Sequence, residues 1–107
     1  MYNISGHKYT QAFTATGADS VVIAGQAGKA IFVHEIIGSN SLAATVSIKN
    51  STTVLDTQAL QANQGVTWSN IANLESDPRF IATPGNDLRM DVSAGTFTGS
   101  IAYSFRE

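Results

Sequence analysis

Near its C-terminus the chain alternates apolar and polar residues, and this pattern constrains the fold more than any other feature. In residues 86–92 the apolar side chains occupy every second position, and residues 96–106 continue the alternation. A period of two is that of a β-strand with one buried face, whereas an amphipathic helix repeats every 3.6 residues. The pair Ala94–Gly95 suits a tight turn between the two segments, so we predict a hairpin here.

The same period recurs upstream, where Gly, Asn, Asp and Ser separate the segments at intervals of about ten residues. Residues 42–49 place Leu42 and every second residue after it inward, and Asn50–Ser51 then turns the chain into residues 52–57. Further strands are predicted at residues 9–16, 20–24, 29–38 and 66–68. Trp68 is expected to lie in the core. About eight short strands without a crossover helix predict an all-β fold, an antiparallel β-sandwich or jelly roll, in one domain over residues 1–107.

Residues 29–38 depart from the alternation, because apolar side chains occur at both parities. One interpretation is a central strand with a bulge that switches faces midway. The other places one face in the core and the opposite face against a neighbouring subunit. Residues 1–8 form a predicted N-terminal arm that can lie across a neighbour. The candidate interface residues are Tyr2, Ile4, Tyr9, Phe32, His34 and Ile36.

Charged residues make up 13% of the chain, whereas soluble domains usually carry about 25%. Partners can cover such a surface without stranding many charges, which favours assembly. A net charge of −2 and six scattered Lys and Arg residues argue against a nucleic-acid interface. The chain has no cysteine for disulfides or thiolate ligands. No apolar run approaches the roughly 20 residues of a membrane span, and residues 1–10 do not read as a signal peptide, so we expect synthesis in a cytoplasm.

No motif in the sequence predicts catalysis, a metal site or a cofactor, so we do not expect an enzyme. Residues 25–30 have the wrong glycine spacing for a phosphate-binding loop and lack its hydroxyl residue. His34 has no second histidine at metal-ligand spacing and is expected to be a hydrogen-bonded core or interface residue. Asp87 and Asp91 share one strand face. We interpret it as a solvated face, and the alternative is a calcium or acid–base site.

Five segments between Lys29 and Phe105 are familiar in combination: residues 29–33, 43–50, 60–65, 82–88 and 99–103. Their order resembles small β-sandwich structural proteins of tailed bacteriophages, especially capsid decoration (cement) proteins. The resemblance implies a virion protein without catalytic residues. Copies, often homotrimers, would bind the major capsid protein or other virion proteins on the capsid surface and stabilise the assembled head. Such strands also occur in fibre and tail modules, so the alternative is a fibre or tail-tip module that binds a receptor or glycan.

Overall fold

The computed structural model describes residues 8–70 and 78–107 and shows an antiparallel, sandwich-like all-β fold, as predicted. Within this part of the chain there is no helix, and hence none long and apolar enough to cross a membrane. Seven strands form one curled sheet. They are β1 (Lys8–Ile23), β2 (Ala30–Asn40), β3 (Ala44–Asn50), β4 (Thr53–Leu60), β5 (Gly65–Ser69), β6 (Phe80–Ala82) and β7 (Leu88–Arg106).

Strand β7, which is 19 residues long, is the central strand of the sheet and pairs with β1, β2 and β3. Strand β1 follows one edge of β7 over most of its length. On the other edge, β3 pairs with the first part of β7 and β2 pairs with the second part. Strand β4 lies outside β3, while β5 and β6 lie outside β2. The sheet therefore has a first half, β4–β3–β7–β1, and a second half, β5/β6–β2–β7–β1, which share the long β1–β7 ribbon.

The β1–β7 ribbon bends where the two halves meet. In β7 the core-facing positions change from even to odd numbers across Gly95, whose φ is 74°. In β1 the register with β7 shifts on both sides of Gly17, and Asp19 has a φ of 53°. Such bulges increase the local twist and let each half turn a face inward. The predicted hairpin at Ala94–Gly95 is wrong, because a bulge absorbs the extra residues and the strand continues. The two strands predicted at residues 9–16 and 20–24 are likewise parts of one strand, β1, which ends at Ile23.

Side chains from both halves fill a single core. Trp68 is 2% exposed, as predicted, and its ring lies 6.2 Å from that of Phe97. The predicted hairpin between β3 and β4 is confirmed. Leu42, however, is 53% exposed, so its predicted inward orientation is wrong. The strand begins only at Ala44, and residues 41–43 form a bend that does not follow the alternation.

Strand β2 contains the bulge that its sequence predicted. Its register with β7 shifts between Val33 and Glu35, which leaves His34 as the extra residue. The core-facing positions of β2 change from odd to even numbers across His34. The bulge interpretation of residues 29–38 is therefore confirmed. Apolar residues occur at both parities partly because the strand turns its other face to the core midway.

Candidate interaction surface

Three adjacent rows on the outer face of the second half consist almost entirely of small, uncharged residues. Because strand partners lie directly opposite each other, the register defines rows of side chains that cross β1, β7, β2 and β5. Three such rows are Thr14–Thr98–Ser39–Gly65, Ala12–Ser100–Ile37–Thr67 and Thr10–Ala102–Glu35–Ser69. We call these twelve positions the Ser/Thr face. Inward neighbours such as Phe97 and Ile101 are fully buried, so the Ser/Thr face is the solvent side of these strands.

Two members of the Ser/Thr face stand out from their neighbours. Ile37 is its one large apolar residue and is 47% exposed near the centre of the face. Glu35 is its one ionisable residue, and it is exposed. The remaining side chains are short hydroxyls, methyl groups or a hydrogen atom. A partner surface can therefore approach the strands closely and meet hydroxyl groups that both donate and accept hydrogen bonds.

Charged side chains concentrate instead on the outer face of the first half. Lys49 Nζ lies 2.7 Å from Asp19 Oδ1 and 3.3 Å from Asp91 Oδ2. The hydrogen bond between Lys49 and Asp19 lowers the pKa of the aspartate and raises the pKa of the lysine. Arg89 Nη2 lies 3.1 Å from Asp87 Oδ2. Asp87 and Asp91 thus each lie beside a cation, and their side chains are partly exposed.

Metal-ligand geometry and the environment of His34 are further features of the ionisable residues. Within residues 8–70 and 78–107, no group of three or more His, Asp or Glu side chains is placed to hold a metal ion. His34 is 3% exposed, and its Nε2 lies 2.9 Å from Ser104 Oγ, which fits the predicted hydrogen-bonded core residue.

The structure separates the candidate interface residues into three groups. Phe32, His34 and Ile36 are at most 4% exposed within the protomer, so they offer no surface to a partner and their prediction is corrected. Alternation along one strand does not reveal that both of its faces are covered. Tyr9 is 45% exposed and lies on the edge strand β1. Tyr2 and Ile4 lie outside the described residues, as does the rest of the predicted arm of residues 1–8 except Lys8, which begins β1.

Tyr9 lines a second surface feature, a pocket of about 400 Å³ that also includes Gln26, Lys29, Tyr103 and Phe105. The rings of Tyr9 and Tyr103 stack with centroids 5.5 Å apart, and the Phe105 ring meets Tyr103 edge-on at 5.8 Å. Burial and the neighbouring Tyr9 raise the pKa of Tyr103. The alternation indicated that Tyr103 and Phe105 share a face, but not that the loop carrying Gln26 lies beside them.

Comparison of this chain with protein-family models, with curated proteins and with solved structures gives no match. The fold and surfaces define a small all-β domain with a broad, weakly charged outer face. Its main surface features are the Ser/Thr face, the edge of β1 beside it, and the aromatic pocket.

Proposed function

We propose that this chain is a structural protein of a tailed-phage virion, a decoration protein that binds the major capsid protein on the capsid surface. The biological role in this proposal comes from the resemblance of residues 29–105 to capsid decoration proteins of tailed bacteriophages. The Ser/Thr face is the observation that carries the proposal, since it offers a wide surface with one charge. The proposed role is contact alone and includes no catalytic step.

The size of the Ser/Thr face sets the expected strength of one contact. Four strands about 4.8 Å apart and three rows about 7 Å apart cover roughly 400 Å². A stable interface usually buries about 800 Å² on each partner, so one face binds its target weakly. On a repeating lattice, linked copies bind far more tightly than one copy alone. A small, weakly charged face of this kind therefore suits a protein that acts in many copies on an assembled shell.

The proposal predicts that Ile37→Lys weakens capsid binding by at least about tenfold, or about 1.4 kcal/mol. Ile37 is near the centre of the Ser/Thr face, and a lysine there must be desolvated when a partner covers it. The measurement is cosedimentation of the purified chain with particles of the virus that encodes it, together with the melting temperature of the capsid. Wild-type chain is expected to raise that temperature, whereas Ile37→Lys is expected to raise it less.

A matched control is Val54→Lys. Val54 is 54% exposed and lies on β4 in the first half, away from the Ser/Thr face. The control is expected to bind and stabilise particles as the wild type does. Equal loss in both variants would show that added charge, not position, matters. A chain that never associates with particles would refute the decoration role itself.

The aromatic pocket favours one alternative, a glycan-binding module of a fibre or tail tip. Aromatic rings are common platforms in binding pockets, and here the polar groups of Gln26 and Lys29 line the same space. For this alternative, Tyr9→Ala is expected to reduce glycan affinity at least tenfold, by about 1.4 kcal/mol. Glycan-array binding and titration calorimetry check this, with Val54→Lys again as the control. Absence of any glycan binding by the wild type would dismiss the alternative.

A further inference from the structure

The direction of the backbone groups in β7 follows from one hydrogen bond at the end of its ladder with β2. The Ser41 amide donates to the Thr96 carbonyl at 3.0 Å, so the backbone groups of Thr96 point toward β2. In an antiparallel strand successive residues direct their backbone groups to opposite edges. The even residues that follow Thr96 therefore bond to β2, and odd residues such as Gly99 and Ile101 bond to β1.

The same alternation assigns the backbone groups of β1. Gln11 and Phe13 lie opposite Ile101 and Gly99, so their amides and carbonyls bond to β7. Even residues of β1 then direct theirs away from the sheet. Thr16 provides an independent check, because its amide donates to Ser20 Oγ at 3.1 Å and its carbonyl accepts from the same hydroxyl, so both groups point away from β7.

The outward edge of β1 is consequently a row of backbone groups ready to pair. Among the described residues, β1 pairs only with β7. By the alternation above, the amides and carbonyls of Thr10, Ala12 and Thr14 therefore point away from the strand that β1 pairs with. Natural edge strands are usually protected by proline, charge, bulges or short length. Between Thr10 and Thr16 this edge has none of these. The edge strands beyond β2 are protected by their length, five residues in β5 and three in β6.

We propose that a second copy of this chain pairs with this edge, with β1 antiparallel to β1 of the partner about a two-fold axis. In the register that we infer, Ala12 lies opposite Ala12 and Thr10 lies opposite Thr14. All six outward amides and carbonyls of these residues are then bonded in each copy. Pairing ends at Thr16, whose groups are already bonded to Ser20. A shift by two residues toward Thr16 would displace that bond, so it is disfavoured.

The side chains are compatible with this contact. Thr10 and Thr14 form cross-strand threonine pairs, and Ala12 at the axis leaves room for close approach. On the inner face Gln11 lies opposite Phe13, which is half-buried against the core. No like charges meet, because Lys8 lies opposite Thr16 and the next charge along the strand is beyond the bend. This self-complementarity identifies a second copy, rather than another protein, as the partner.

The two-fold axis is perpendicular to the sheet, so the Ser/Thr faces of both copies lie on the same side. An eight-stranded face doubles the contact area offered to any target. The pairing does not depend on the decoration role, and it can hold when that role fails. It gives dimers, so trimers implied by the resemblance would need a different contact.

The test is the oligomeric state of Ala12→Pro. Because the Ala12 amide points away from β7, proline there removes no bond within the protomer, and an edge strand tolerates it. It removes the central donor of the contact and places a ring at the axis. The dissociation constant of the dimer is expected to rise at least about tenfold. Sedimentation equilibrium over a concentration series measures it, and circular dichroism checks that the variant is folded.

Ala12→Lys tests the same contact without proline, since it places two like charges directly opposite each other. Its matched control is Ala59→Lys on β4, another exposed alanine on an edge strand, which is expected to leave the dimer unchanged. Amide hydrogen exchange locates the contact. Protection of Thr10, Ala12 and Thr14 is expected to rise with concentration, while that of Phe13 is constant.

Each other outcome overturns the proposal. A wild-type chain that is monomeric at every concentration has no such contact. A dimer or trimer in which Thr10, Ala12 and Thr14 exchange freely uses a different surface. A dimer that Ala12→Lys and Ala59→Lys weaken equally does not pair through β1. Failure of capsid binding with an intact dimer would count against the decoration role alone.

Discussion

Replacing Gly99 with alanine is expected to destabilise the protein by about 3 kcal/mol or more. Gly99 lies opposite Gly38 where β7 and β2 pair, and both strands there have neighbours on their other edges. A Cβ on Gly99 would lie 3.0 Å from the Gly38 Cα and closer still to the Ile37 carbonyl oxygen. Since these obstacles are backbone atoms in paired strands, they cannot rotate away as a side chain can. Gly38→Ala meets a similar obstacle, with Thr98 O at 2.5 Å.

The control for this prediction is Gly65→Ala on β5. Nothing lies within 4 Å of a Cβ at Gly65, and its φ is not positive. Alanine there is expected to change the free energy of unfolding by less than about 1 kcal/mol. Its main effect is to reduce the conformational entropy of the unfolded chain, which favours the folded state. Urea denaturation curves with their m-values compare the variants. If Gly99→Ala were as mild as Gly65→Ala, the close approach of β2 and β7, and with it their register, would be incorrect.

The sequence allowed prediction of those features that depend on local pattern. The β3–β4 hairpin, the bulge near His34 and the burial of Trp68 follow from alternation and turn residues close in the chain. The continuity of β7 across Gly95 does not follow from the local pattern. A glycine with positive φ suits a bulge as well as a turn, and what distinguishes them at Gly95 is pairing with β1, some eighty residues away.

The surfaces likewise combine features that the local pattern predicts with features that depend on strand pairing over long distances. Alternation indicated that Thr98 and Ser100 lie opposite the apolar side of their strand. That they join Thr14 and Thr67 in one face depends on the strand order β1–β7–β2–β5, which no local pattern encodes. The interface prediction for Phe32 failed for a related reason. The sequence does not reveal which strands are covered on both of their faces.

The largest side-chain effect is expected at Trp68, whose truncation to alanine should cost about 3–5 kcal/mol. Trp68 lies on β5, and its ring is buried beside that of Phe97 on β7. Its Nε1 donates to Asp56 Oδ2 on β4 at 2.7 Å. Strands β4 and β5 are the two ends of the main strand order, so this bond links the ends of the curled sheet. Trp68→Phe keeps an aromatic ring but loses the bond to a charged acceptor, and is expected to cost about 1.5–3 kcal/mol.

The same bond makes the effect depend on pH. Burial alone would raise the pKa of Asp56, but hydrogen bonds from Trp68, Gln58 and the Thr57 amide outweigh it and leave the pKa below the usual value for an aspartate. A carboxyl group whose pKa is lower in the folded state stabilises the fold above its unfolded pKa, and this contribution is lost as the pH falls through the folded pKa. The stability difference between wild type and Trp68→Phe should therefore shrink on acidification. Other aspartates with lowered pKa values, such as Asp19 and Asp87, are present in both proteins and cancel. Chemical denaturation at neutral pH and well below the pKa measures the difference, and a constant value would show that the indole does not bond to an ionised carboxylate.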